Sequence, residues 1–124
     1  MPFIDHAQAP RFELHGVSFT GLAAPSRGAT ETAVWLVTLP PGAEGVPHQL
    51  TREEVFVAIE GAARAQVDGQ THELRPGCAL VVPAHVDFCL ANPYDAPFRT
   101  VAVLPVGGQA VLEGSPPFTP PWAQ

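Results

Sequence analysis

Nowhere in this chain do apolar residues hold a helical period over the roughly 11 residues that mark an amphipathic helix. The apolar runs are short, and turn residues interrupt them. They read as strands: TAVWLVTL at Thr32–Leu39, then Val46–Leu50, VFVAI at Val55–Ile59, Ala63–Val67, Thr71–Leu74, Cys78–Val82, Val86–Leu90 and Phe98–Val106. Arg11–Leu22 supplies one or two more, and Gly107–Leu112 a short last one. Strands spaced by roughly 8–12 residues with turn signals between them point to an all-β sandwich or barrel.

The 15 Pro and 11 Gly fall largely between these runs, so they are punctuation and not disorder. Pro40-Pro41-Gly42, Arg75-Pro76-Gly77 and Pro83-Ala84-His85 each turn the chain, and Asn92–Pro97 is a loop. Asp68-Gly69 between two strand runs predicts a tight hairpin, because both turn positions need positive φ. A Pro-rich tail occupies about residues 114–124. Its prolines cannot donate ladder hydrogen bonds, so it is extended, with Phe118 and Trp122 free to dock on the barrel or on a partner subunit.

At 124 residues the chain is expected to form one domain, residues 1–124, with a substantial core. Its net charge of −6 argues against nucleic acid as a partner. All six basic residues are Arg, so there is no lysine to form a Schiff base. No apolar run approaches the roughly 20 residues that span a bilayer, so no membrane association is expected. The N-terminal residues lack a signal-peptide pattern. Cys78 and Cys89 lie in apolar stretches and read as free, structural thiols of a cytoplasmic protein.

The residues with chemical potential share one layout. Gly42 is followed by His48 and Leu50, then Glu54 and Gly61. Gly77 is followed by Pro83, His85, Phe88 and Asn92. With its spacing, this region from 42 to 92 resembles the two motifs of the cupin superfamily. The resemblance implies a jelly-roll β-barrel. In relatives of this pattern two His and a Glu of the first motif and one His of the second hold a divalent metal. Here His48 and Glu54 stand at two of the four positions, Leu50 and Phe88 at the other two, and His85 at the second motif's Gly. His48 and Glu54 would then be residual ligands, with His85 the candidate third and no metal the preferred expectation. A Zn, Fe, Mn or Ni enzyme of the oxygenase, isomerase or cyclase kind with an altered ligand set is the alternative. Small cupins are commonly homodimers, which the resemblance extends to this chain.

His48 and Leu50 are two apart and share a strand face. The family pattern implies a three-residue loop, Thr51–Glu53, that sets Leu50 opposite Glu54 and His48 opposite Phe56. The inner face would hold His48, Leu50, Glu54, Phe56, Phe88 and Leu90, an apolar pocket for a small-molecule ligand. His85 is an odd offset from Phe88, so it faces the pocket only if the Pro83 turn re-aims it. His15 and His72 are further candidates for a third ligand, though His72 reads as surface and His15 has no assigned place. A His48–Glu54 hydrogen bond would ease the desolvation of the carboxylate, and the pair is the candidate for metal-free acid and base catalysis. Trp35 reads as core or barrel lining. Arg64 and Arg99 are expected to face outward, and Tyr94 and Asp95 to lie on the surface.

Overall fold

The computed structural model describes residues 1–124. Eleven strands follow one another: β1 (Arg11–Leu14), β2 (Val17–Gly21), β3 (Thr32–Leu39), β4 (Gln49–Leu50), β5 (Glu54–Glu60), β6 (Ala63–Val67), β7 (Gln70–Leu74), β8 (Ala79–Val82), β9 (Phe88–Ala91), β10 (Phe98–Pro105) and β11 (Ala110–Val111). The only helical pieces are 3-10 turns of three residues at His6–Gln8, Pro25–Arg27 and Pro121–Ala123. No helix is long and apolar enough to cross a membrane.

β3 and β10 pair antiparallel along their whole length, from Phe98 beside Leu39 to Pro105 beside Thr32. Alternation does the sorting. Ala33, Trp35, Val37 and Leu39 face inward from β3, and Phe98, Thr100, Ala102 and Leu104 from β10. These strands centre a six-stranded sheet of order β1-β2-β3-β10-β5-β8. The second layer is the three-stranded sheet β7-β6-β9 and the pair β11-β4. An isolated antiparallel bridge, His48 to Phe88, joins those two pieces, and another joins Ala110 to Phe118 of the tail. Buried side chains from both layers form one hydrophobic cluster of 19 residues. The chain is thus the all-β jelly roll that its strand pattern and motif spacing lead to.

The Asp68-Gly69 hairpin forms as the dipeptide requires, with φ of 50° and 79°. Gly61 is held at φ 73°, and a side chain there would collide with the Pro97 carbonyl.

The 46–50 segment departs from expectation. It does not pair with β5 as a hairpin. β5 already has β10 on one edge and β8 on the other, so Thr51–Glu53 carries the chain from one sheet to the other. Residues 48–51 instead take Phe88 on one side and the 109–111 segment on the other. Leu50 is therefore not the ladder partner of Glu54, nor His48 of Phe56; Glu54 sits beside Val82 and Phe56 beside Leu80. Cys78 also differs. It precedes β8 and is exposed, so it packs no core, while Cys89 is half-buried and both are unpaired.

The Pro-rich tail docks on the protein's own barrel. Trp122 is buried, stacked on Phe19 with ring centres 3.6 Å apart and planes 1° from parallel. Phe12 meets its edge at 6.3 Å, and Trp35 lies at 6.5 Å. Polar ties hold the tail's end: Ser26 Oγ donates to the Gln124 carbonyl at 2.6 Å and the Arg27 guanidinium to the Trp122 carbonyl at 3.2 Å. The Trp122 indole N–H is cut off from solvent without a partner, a cost the ring packing has to exceed. Removing a buried Trp costs about 3–5 kcal/mol. Trp122→Ala should therefore lose about 3 kcal/mol or more in urea unfolding. A loss below about 1 kcal/mol would show that the tail is not part of the core.

Candidate functional site

A cavity of about 560 Å³ opens between the two layers, and sixteen of its 23 lining residues are hydrophobic. Each side chain reaches it through strand parity. Glu54 and Phe56 share the inner face of β5, where Ala58 also points in while Val57 and Ile59 point out. His48 and Leu50 reach it from the crossing segment, and Phe88 and Leu90 from β9. The six positions singled out in the sequence all line this one cavity, although the hairpin invoked to bring them together does not exist. They face each other across the interior, from different sheets.

His48 is fixed by its neighbours. Its backbone N–H donates to the Phe88 carbonyl at 3.0 Å, and Phe88 N–H donates back at 2.9 Å. The two rings lie 4.3 Å apart and tilted. Nδ1 is 2.8 Å from the Val46 carbonyl, which can only accept, so Nδ1 carries the proton and Nε2 is the ring's free nitrogen. Burial holds the imidazole pKa below its ordinary value, against a smaller upward pull from the Val46 contact.

Glu54 is only 3% exposed, and its carboxyl makes no hydrogen bond to protein. The expected His48–Glu54 hydrogen bond is absent: Nδ1 contacts Val46, and Nε2 has no protein partner. With nothing to offset desolvation, burial pushes the carboxyl pKa up to about 8. At neutral pH the site therefore holds a carboxylic acid and a neutral imidazole, and no Arg lines the cavity.

His85 does not join them. It is exposed in the turn before β9, at φ 62°, with its backbone N–H donating to the Leu50 carbonyl at 2.8 Å. His72 is exposed on β7. No group of three His, Cys, Asp or Glu side chains converges anywhere. A catalytic zinc keeps three protein ligands and a non-haem iron triad needs two His and a carboxylate. His48 and Glu54 offer two donors, beside Leu50 and Phe88, which offer none. The residues present do not fit the family's metal.

His15, which the sequence left unplaced, lines the cavity with an exposed side chain, as does Glu44, and Phe118, Pro120 and Trp122 line it from the docked tail. Val17 and Phe19 also line it, and their i, i+2 spacing in β2 was the available signal. Of the two docking sites open to Phe118 and Trp122, the tail takes the barrel, where Ala110 bridges Phe118. Asn92, the last motif residue, belongs to the scaffold. Fully buried, it donates to the Leu39 and Ala96 carbonyls at 3.1 and 2.8 Å and accepts from Tyr94 N–H at 3.0 Å. Arg64 and Arg99 face outward and pair with Glu73 and Glu60 at 2.9 and 3.6 Å.

The raised Glu54 pKa has a sign. Between about 4.5 and about 8 the folded carboxyl keeps a proton that the unfolded one releases. Stability is lost as pH rises through that window, by at most about 1.4 kcal/mol per pH unit from this group. Glu54→Gln should flatten this part of the stability–pH curve and be the more stable protein at pH 8.5. Parallel curves for the two proteins across the window would show that Glu54 is ionised or solvated in the fold.

The comparisons agree with this architecture. A family model described as Cupin domain matches residues 35–104. Over 47 residues the chain is 36% identical to the dimethylsulfoniopropionate lyase DddW of Ruegeria pomeroyi, a match covering 38% of this chain and 31% of that protein's length. The polyketide cyclase RemF of Streptomyces resistomycificus superposes with a TM-score of 0.81 at 16% identity, over 94% of this chain and 87% of that one. An RmlC-like cupin of Shewanella frigidimarina gives 0.73 at 23% identity, over 83% and 88%. With its jelly roll, both motifs and a family match over more than half its length, the chain belongs to the cupin domain family.

Proposed function

We propose that this protein binds a small, largely apolar molecule in the barrel cavity, without a metal, with Glu54 and His48 as the polar contacts. The carrying observation is the cavity itself. Its walls are mostly hydrophobic, and the buried Glu54 carboxyl has no partner from the protein. Its volume lies within the roughly 300–1,000 Å³ of small-molecule sites. A neutral carboxyl in such a wall is a hydrogen-bond donor waiting for an acceptor. The likeness to a polyketide cyclase and, over a short stretch, to a dimethylsulfoniopropionate lyase supports an organic small molecule as the occupant. The neutral dye N-phenyl-1-naphthylamine should bind saturably with enhanced fluorescence, and Leu90→Trp, which fills the cavity, should weaken it by about tenfold or more. Dye binding indifferent to the filling substitution would end this reading.

A second reading is favoured by the separation of roles at the site. Nδ1 of His48 is engaged by Val46, leaving Nε2 as a base, and the Glu54 carboxyl is an acid. On an enolisable ketone, Nε2 takes the α-proton while the Glu54 O–H stabilises the carbonyl oxygen, and return of a proton completes the exchange. Deuterium exchange at the α-position of 2-tetralone, followed by NMR, should be accelerated by the protein and fall about 100-fold or more in His48→Ala. Equal acceleration by the variant would dismiss His48 as the base.

The proposal includes a homodimer in the cytoplasm. Val57, Ile59 and Val81 are exposed on the outer face of β5 and β8, with β8 at the sheet's edge. Apolar surface of this kind is normally covered. The unpaired Cys78 and Cys89 suit a reducing compartment. Light scattering at micromolar concentration should give a dimer mass for the wild type and a monomer mass for Val57→Lys/Val81→Lys. A wild-type monomer would remove the dimer from the proposal.

A further inference from the structure

The cavity's composition narrows its occupant. Both tryptophans and four of the seven phenylalanines line it: Phe19, Trp35, Phe56, Phe88, Phe118 and Trp122. They come from both layers and from the tail, so aromatic surface lies on several sides. Their planes are fixed by one another. Phe19 stacks on Trp122, Phe88 sits 5.8 Å from Phe56, and His48 leans on Phe88. Rings held this way lose little freedom when a ligand arrives, and flat faces with fixed quadrupoles favour a flat, π-rich partner over a flexible aliphatic one.

Charge narrows it further. The chain has no Lys and no Arg lines the cavity, so a carboxylate or phosphate group would enter without a counter-charge. A cation would find rings, but the one lining carboxyl that is buried has no hydrogen bond to stabilise its ionised form, and the other, Glu44, is exposed to solvent. The two buried polar functions, the Glu54 carboxyl and the His48 imidazole, suit a phenol or ketone oxygen.

Building on the small-molecule reading above, we propose that the occupant is a flat, uncharged aromatic molecule carrying a phenol or ketone oxygen. Its rings lie against the aromatic wall and its oxygen meets Glu54 and His48. This names the ligand class that the small-molecule reading leaves open.

Five matched probes test it by isothermal titration: 2-naphthol, naphthalene, decahydro-2-naphthol, the anion 2-naphthoate and the cation 2-naphthyl-trimethylammonium. Quenching of Trp35 and Trp122, the two tryptophans, reports the same events. We expect 2-naphthol to bind about tenfold or more tighter than its saturated analogue and than either ion. Glu54→Leu should reduce 2-naphthol to the affinity of naphthalene while leaving naphthalene unchanged. Glu54→Gln, which keeps a donor, should retain most of the difference. If decahydro-2-naphthol binds as tightly as 2-naphthol, the aromatic class is wrong and the apolar-pocket reading stands. If an ion binds tightest, the uncharged class is wrong. If no probe binds up to its solubility, the pocket reading falls and this inference with it. If 2-naphthol keeps its advantage over naphthalene in Glu54→Leu, the placement of the oxygen is wrong.

Discussion

A pair of backbone hydrogen bonds exchanged between His48 and Phe88, with His85 N–H on the Leu50 carbonyl beside it, joins the two pieces of the second layer. Each piece, the three-stranded sheet and the β4–β11 pair, is small, and these contacts make them one layer. The same bridge fixes the site. It sets the imidazole against the Phe88 ring and orients Leu50, two residues on, toward the interior. At this crossing, fold and candidate chemistry rest on the same few atoms. A side chain at position 88 therefore has two duties, closing the layer and facing the cavity, and a Phe there performs both by filling space.

Glu54 is the counterweight. Nearly every other inward position on the six-stranded sheet is apolar or small, and Glu54 is a carboxyl buried among them without a partner. Burial of that kind costs stability unless the group stays protonated or gains a partner. The position is tolerable at low and neutral pH because the acid keeps its proton, and it becomes expensive once it ionises. Leu50 and Phe88, at the positions where the motif resemblance implies His, add no donor that could hold a cation beside the carboxyl.

Much of the fold was legible because strand parity and turn residues are local signals. TAVWLVTL and FRTVAVLPV declared β3 and β10, and Asp68-Gly69 declared its hairpin, with no knowledge of partners. The six inner-face residues were legible for the same reason, since two-residue periodicity fixes which side a chain shows. Pairing was not. Nothing in Val46–Leu50 says that Thr51–Glu53 crosses between sheets, because that is decided by β10 and β8 having taken both edges of β5. Cys78 lies exposed just before β8, outside the strand whose alternate residues Leu80 and Val82 are buried, a placement its apolar sequence neighbours do not show. The missing His48–Glu54 contact is a matter of where the two side chains sit across the interior, on different sheets, which spacing along the chain does not set.

The tail makes the cavity the work of distant parts of the chain. The hydrogen bonds that seat it join residues separated by 98 and 95 positions. Closing loops of that length is slow relative to forming hairpins such as β6–β7. The wall is complete only once Phe118 and Trp122, from the far end of the chain, are seated against the sheets. The cavity's shape thus depends on the seating of the C-terminal segment as much as on the sheets themselves.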